Sequence, residues 1–79
     1  MKRIFLVEDD KEIAKNLALL LHAEGFNVTH ASSQGEAISV LDGNRFDLAL
    51  VDISLPDGNG FTVCTEIKQA QNIPVIFLT

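Results

Sequence analysis

Short apolar runs alternate with amphipathic stretches along this chain. Ile4-Phe5-Leu6-Val7 is a continuous apolar run, the pattern of a strand buried on both faces. Ile13, Leu17, Leu20 and Leu21 recur at helical spacing and Gly25 closes the segment, which predicts an amphipathic helix. Residues 26–31 alternate, predicting a second strand at a sheet edge with one face partly wet. Ser32 or Ser33 can cap a second helix that carries Ala37, Ile38 and Leu41 and stops near Asp42-Gly43-Asn44. Residues 46–51 read as a third strand ending in Asp52. A turn-rich segment, residues 54–60, leads into a third helix with Phe61, Cys64 and Ile67 three apart. Residues 73–78 read as a fourth buried strand with Pro74 at its entry.

Strands separated by helices need crossover connections, so the sheet is parallel and helices cover both its faces. Such sheets take ligands beyond the carboxyl ends of their strands, where the strand order reverses. With the order 2-1-3-4, that point lies between the first and third strands. Glu8-Asp9-Asp10 ends the first strand and Asp52 ends the third. Carboxylates brought that close raise one another's pKa unless a cation lies among them. Oxygen ligands without Cys or a suitably placed His suit a hard ion, Mg²⁺ ahead of Zn²⁺. The blander alternative is that Asp9 or Asp10 caps the first helix and Asp52 begins a turn. Asp52 also has the setting of a nucleophile, at the end of an apolar strand and before a loop; a carboxylate there can accept a phosphoryl group. Thr79 ends the adjacent strand, which predicts a hydroxyl facing the same crevice.

Composition narrows the function classes. With 79 residues, 47% hydrophobic and 22% charged, the chain is sized for one soluble domain at most and is too apolar for disorder. A net charge of −5 argues against binding nucleic acid through phosphate neutralisation. A single cysteine, Cys64, excludes a disulfide framework or a cysteine metal site and favours a reducing compartment; its helical spacing makes it a core thiol. His22 and His30 share no metal-ligand spacing. Gly58-Asn59-Gly60 lacks the Lys-Ser/Thr of a P-loop and reads as a turn. No apolar stretch is long enough for a membrane span, and the opening run ends in acids too soon for a signal peptide.

Three motifs together, VEDD at 7–10, LVDISLPDGNG at 50–60 and PVIFLT at 74–79, resemble the response regulator receiver domain of two-component signalling. The resemblance implies a flavodoxin-like doubly wound α/β fold. It implies Asp52 as phosphoacceptor, Asp9 as a direct Mg²⁺ ligand, Glu8 acting mostly through water and the main-chain carbonyl of Ser54 as the third protein ligand. The Ser54 side chain would tune dephosphorylation, and Thr79 would be the switch hydroxyl that closes on the phosphoryl group. The implied partner is a sensor histidine kinase in the cytoplasm, with exposed Glu12 and Asn16 as lesser contact candidates. Any contact with DNA would come through an output domain outside this chain. Such a domain is not an enzyme in the ordinary sense, although it catalyses its own phosphorylation and dephosphorylation.

Receivers have five strands and five helices, whereas this sequence reads βαβαβαβ. Residues 1–79 therefore resemble the first two thirds of a receiver, without the fifth strand, the fourth and fifth helices, or the lysine that pairs with the phosphoryl group. None of Lys2, Lys11, Lys15 or Lys68 matches that lysine by position. An alternative expectation follows: a fragment impaired in phosphotransfer that associates through its fourth strand, in the uncharged, strand-prone segment 73–79.

Overall fold

The computed structural model describes residues 2–78. Along the chain run β1 (Arg3–Val7), α1 (Lys11–Ala23), β2 (Asn27–Ala31), α2 (Gln34–Leu41), β3 (Leu48–Asp52), the two-residue strands β4 (Ser54–Leu55) and β5 (Gly58–Asn59), α3 (Gly60–Ala70) and β6 (Val75–Leu78). The four longer strands form one parallel sheet in the order β2-β1-β3-β6, with β2 at an edge as its alternation predicts. This is the doubly wound, flavodoxin-like arrangement.

Strand alternation divides the apolar residues between two faces. On one face Phe5, Val7, Ala49 and Val51 pack with Ala37 and Leu41 of α2 and Val63 and Ile67 of α3. Phe5 and Phe46 stack there with ring centroids 4.7 Å apart. On the other face α1 lies across β1 and β2, and Ile4, Leu6 and Ala14 are buried.

Local chemistry sets the helix ends. Asp10 caps α1, its Oδ1 accepting from the N–H groups of Glu12 and Ile13. Ser33 caps α2 through Glu36 N–H, and Glu36 reaches back to the Ser32 N–H. Asn59 caps α3, accepting from Thr62 N–H at 2.9 Å. Gly25 and Gly43, just past α1 and α2, take positive φ of 92° and 81°, the region that favours glycine.

Four details differ from the sequence expectation. The segment 54–60 is a miniature antiparallel hairpin rather than a plain turn, because Ser54 pairs with Asn59 and Leu55 with Gly58. The third strand begins at Leu48, since Phe46 N–H is taken by the side chain of Gln71 instead of a neighbouring strand. The buried stripe of α3 is Gly60, Val63 and Ile67, so Cys64 is half-buried and Phe61 is 57% exposed, its ring tilted against Phe77. On α1 the buried position is Ala14, while Ile13 and Leu20 are 48% and 67% exposed. Helical geometry puts Ile13, Leu17 and Leu20 on the flank opposite Lys15, Ala18 and His22, which line a cleft with Asn27 and Val28 of edge strand β2. On β6, Ile76 is also half exposed.

Burial therefore ranks these positions differently from periodicity. Ile67→Ala, at a fully enclosed site, is expected to cost about 2–5 kcal/mol by urea unfolding. Leu20→Ser is expected to change stability by no more than about 0.5 kcal/mol. Equal costs at the two positions would contradict this assignment of the core.

Candidate metal and phosphoacceptor site

The pairing of β1 with β3 continues to Val7 opposite Val51. One residue further, Glu8 and Asp52 stand at the same level at the carboxyl edge of the sheet. Asp9 follows Glu8 where the chain turns toward α1. One side-chain oxygen from each of Glu8, Asp9 and Asp52 lies within 4.8 Å of the others, with Glu8 buried, Asp9 exposed and Asp52 half-buried. The structure thus separates the acids of the first strand. Asp10 spends its carboxylate on the α1 cap, and Glu8 and Asp9 join Asp52.

Electrostatic strain is concentrated on Glu8. Burial pushes its carboxyl above the ordinary range, and the negative charges of Asp52 and Asp9 add to the effect. The Asp10 N–H, 3.2 Å from Glu8 Oε1, opposes it. Three acidic oxygens at this separation fit a hard divalent cation: charge and oxygen donors are both supplied, and a bound ion would relieve the repulsion. Two main-chain contacts hold the acidic segment. Glu8 N–H donates to Ala31 O at 3.0 Å, and His30 Nε2 donates to the Glu8 carbonyl at 2.7 Å, which fixes the Nε2-protonated ring. His30 therefore supports the site from β2, a role its spacing in the sequence does not reveal.

Asp52 leads into the hairpin. Ser54 N–H reaches Asp52 Oδ1 at 3.4 Å, which sets the Ser54 backbone beside the carboxylate. The hairpin returns to the same place, because Gly60 N–H donates to Ile53 O at 2.7 Å. A Cβ on Gly60 would collide with the carbonyl of Asp52, so α3 can start against the end of β3 only with glycine there. Thr79 lies outside the described residues. Asp57 was legible only as a turn residue, yet its carboxylate oxygens accept from the N–H groups of Gln34 and Gly35, tying the hairpin to α2.

Residues 4–79 match the response regulator receiver domain family, and the chain belongs to it. It is 42% identical over 79 residues to the transcriptional regulatory protein CpxR of Klebsiella pneumoniae, covering 100% of this chain and 34% of the relative. It is 36% identical over 77 residues to the regulatory protein VanR of Enterococcus faecium, covering 98% of this chain and 33% of that one. The chain thus spans about a third of the length of these curated relatives. Among solved structures, the non-phosphorylated HemR receiver domain from Leptospira biflexa superposes with a TM-score of 0.93 at 38% identity, covering 100% of this chain and 64% of that one. The response regulator TrrA from Thermotoga maritima, in complex with Mg²⁺-BeF, superposes with a TM-score of 0.91 at 32% identity over 100% of this chain and 70% of that one.

The close approach at Gly60 is open to a direct check. Gly60→Ala is expected to cost at least about 1–3 kcal/mol and to shift the backbone amide signals of Asp52 and Ile53. A variant with unchanged stability and unchanged signals would contradict the contact.

Proposed function

We propose that this chain is the phosphoacceptor part of a two-component response regulator, taking a phosphoryl group from the phosphohistidine of a sensor kinase onto Asp52 with Mg²⁺. The observation that carries this reading is the convergence of Glu8, Asp9 and Asp52 at the switch point of the sheet. Asp9, Asp52 and the Ser54 carbonyl would hold the ion directly and Glu8 through water. When bound, Mg²⁺ supplies positive charge that offsets the oxygens of the transferring group.

The remaining work falls to the chain. The β3 pairing fixes Asp52, and the Ser54 N–H orients one of its oxygens, leaving the other free to attack phosphorus. An O–P bond forms as the P–N bond of phosphohistidine breaks. The imidazole, protonated at its other nitrogen, leaves as a neutral ring carrying the former bonding pair. Thr79 is the hydroxyl that would close on the new phosphate. The Ser54 side chain would stand near the path of a water that removes it. The chain accepts and turns over its own phosphoryl group and is not an enzyme acting on a separate substrate.

Residues 1–79 would form the N-terminal two thirds of a receiver in a longer cytoplasmic regulator. The relatives include a transcriptional regulatory protein and, in Mycolicibacterium smegmatis, a DNA-binding response regulator, which supports transcription as the output, through a domain outside this chain. No helix among the described residues is long and apolar enough to cross a membrane. A second reading rests on β6, which among the described residues pairs with β3 alone and leaves Ile76 51% exposed. Its outer edge could pair with another copy, making this stretch an association module.

Incubated with Mg²⁺ and acetyl phosphate, the full-length regulator is expected to gain one phosphoryl group that survives acid and is lost in base. Asp52→Asn, or prior treatment with EDTA, is expected to abolish the gain. Uptake that persists in Asp52→Asn would overturn the assignment, and light scattering showing a monomer of this chain at high concentration would overturn the second reading.

A further inference from the structure

Glu8, Asp9 and Asp52 sit on or beside the ends of long strands, whereas Ser54 rides on the β4–β5 hairpin. The strands of that hairpin pair with each other and not with the main sheet. Two residues per strand give little independent stability, so the hairpin needs outside support. Part of it comes from below, through buried Leu55 and the Gly60 N–H to Ile53 O bond. The rest comes from the side. Asp57 Oδ1 accepts from Gln34 N–H at 2.7 Å and Oδ2 from Gly35 N–H at 2.9 Å. Gln34 returns the contact, its Oε1 accepting from Asn59 N–H at 3.1 Å.

Gln34 and Gly35 open α2, so their N–H groups have no carbonyl partner within the helix. A carboxylate there meets two free donors and the positive end of the helix. These bonds hold the Asp57 carboxyl below its ordinary range, the Gly35 N–H contributing most, so it stays ionised near neutral pH. Gly58 keeps the approach open, since a Cβ on it would run into the Gln34 side chain. Neither Asp57 nor Gln34 has any part in the chemistry proposed above.

We infer that Asp57 and Gln34 are positioning residues for the cation site: by fastening the hairpin to α2 they hold the Ser54 carbonyl beside the Glu8-Asp9-Asp52 carboxylates. The inference rests on the proposed Mg²⁺-binding role of Ser54. It concerns the readiness of the site and not the transfer step. With the clasp open, the carboxylates stay in place on the sheet while the carbonyl ligand drifts, so affinity falls without loss of the fold.

Calorimetric Mg²⁺ titrations of the full chain test this, together with circular dichroism and the shift of the Ser54 amide signal on adding Mg²⁺. Asp57→Ala is expected to weaken Mg²⁺ binding about 10-fold, with the fold retained and the Ser54 response diminished. Gly58→Ala, which drives Gln34 off Asn59, is expected to act in the same direction. Asp57→Asn keeps one acceptor oxygen and is expected to fall between Asp57→Ala and the parent, a graded rescue that a merely structural role would not produce. Should Asp57→Ala fail to fold, Asp57→Asn and Gly58→Ala decide. Parent-like affinity in the folded variants, with binding abolished in Asp52→Asn, would overturn the clasp and leave the proposed function standing. A parent chain that binds no Mg²⁺ would overturn both.

Discussion

The parallel pairing of β1 with β3, in the register that sets Val7 against Val51, is the constraint on which the rest of this molecule depends. A slip by one residue would turn every side chain of one strand to the opposite face. It would exchange the Phe5–Val7 face of β1 with its Ile4–Leu6 face, setting each against a layer shaped for the other, and take Glu8 away from Asp52. The same hydrophobic matching that stabilises the sheet therefore brings the acids together. Apolar burial supplies the force, and the charged cluster at the strand ends is where that force is spent against repulsion. Glu8 shows the strain, its carboxyl pushed up first by burial and then by its neighbours. A cation among these carboxylates would relieve that repulsion, which is what the proposed site would draw on.

Around that fixed pair the supports become progressively lighter. His30 and Ala31 hold the Glu8 backbone from a neighbouring strand. Gly60 lets α3 begin against the carbonyl of Asp52. The hairpin between them is held at its tip by side-chain bonds to the start of α2. Loops carry functional groups because they can be adjusted without disturbing the core, and in the proposed site the adjustable part would deliver a single backbone carbonyl. The match to the receiver family spans residues 4–79, and the HemR receiver domain superposes over the whole of this chain, so the likeness takes in the sheet and the helices that position the site.

Most of this was legible in the sequence because it depends on periodicity and on strand ends. The alternation of strands and helices, the approach of the first strand's acids to Asp52, and a cap at Ser32 or Ser33 follow from runs, turns and caps read locally, whereas the choice of Glu8 and Asp9 over Asp10 follows from the family resemblance. The rotation of α3 follows from neither. Apolarity favours a stripe through Phe61 and Cys64, but the helix must present Gly60 to the end of β3, and that steric demand turns Phe61 outward. On α1, spacing identifies Ile13, Leu17 and Leu20 as one stripe without saying how far the sheet beneath them reaches. Asp57 is hidden for a different reason. Pro-Asp-Gly reads as a turn, and its partner Gln34 lies 23 residues earlier in the chain.

In the proposed function Glu8, Asp9 and Asp52 form one cation site at the end of the β1–β3 pair. Paramagnetic Mn²⁺, titrated at low stoichiometry while backbone amide signals are followed by NMR, tests it most directly. Selective broadening is expected for residues 8–10 and 52–54, suppressed by excess Mg²⁺ and lost in Asp52→Asn. Broadening centred elsewhere, or spread evenly over the acidic surface and unchanged in Asp52→Asn, would contradict it.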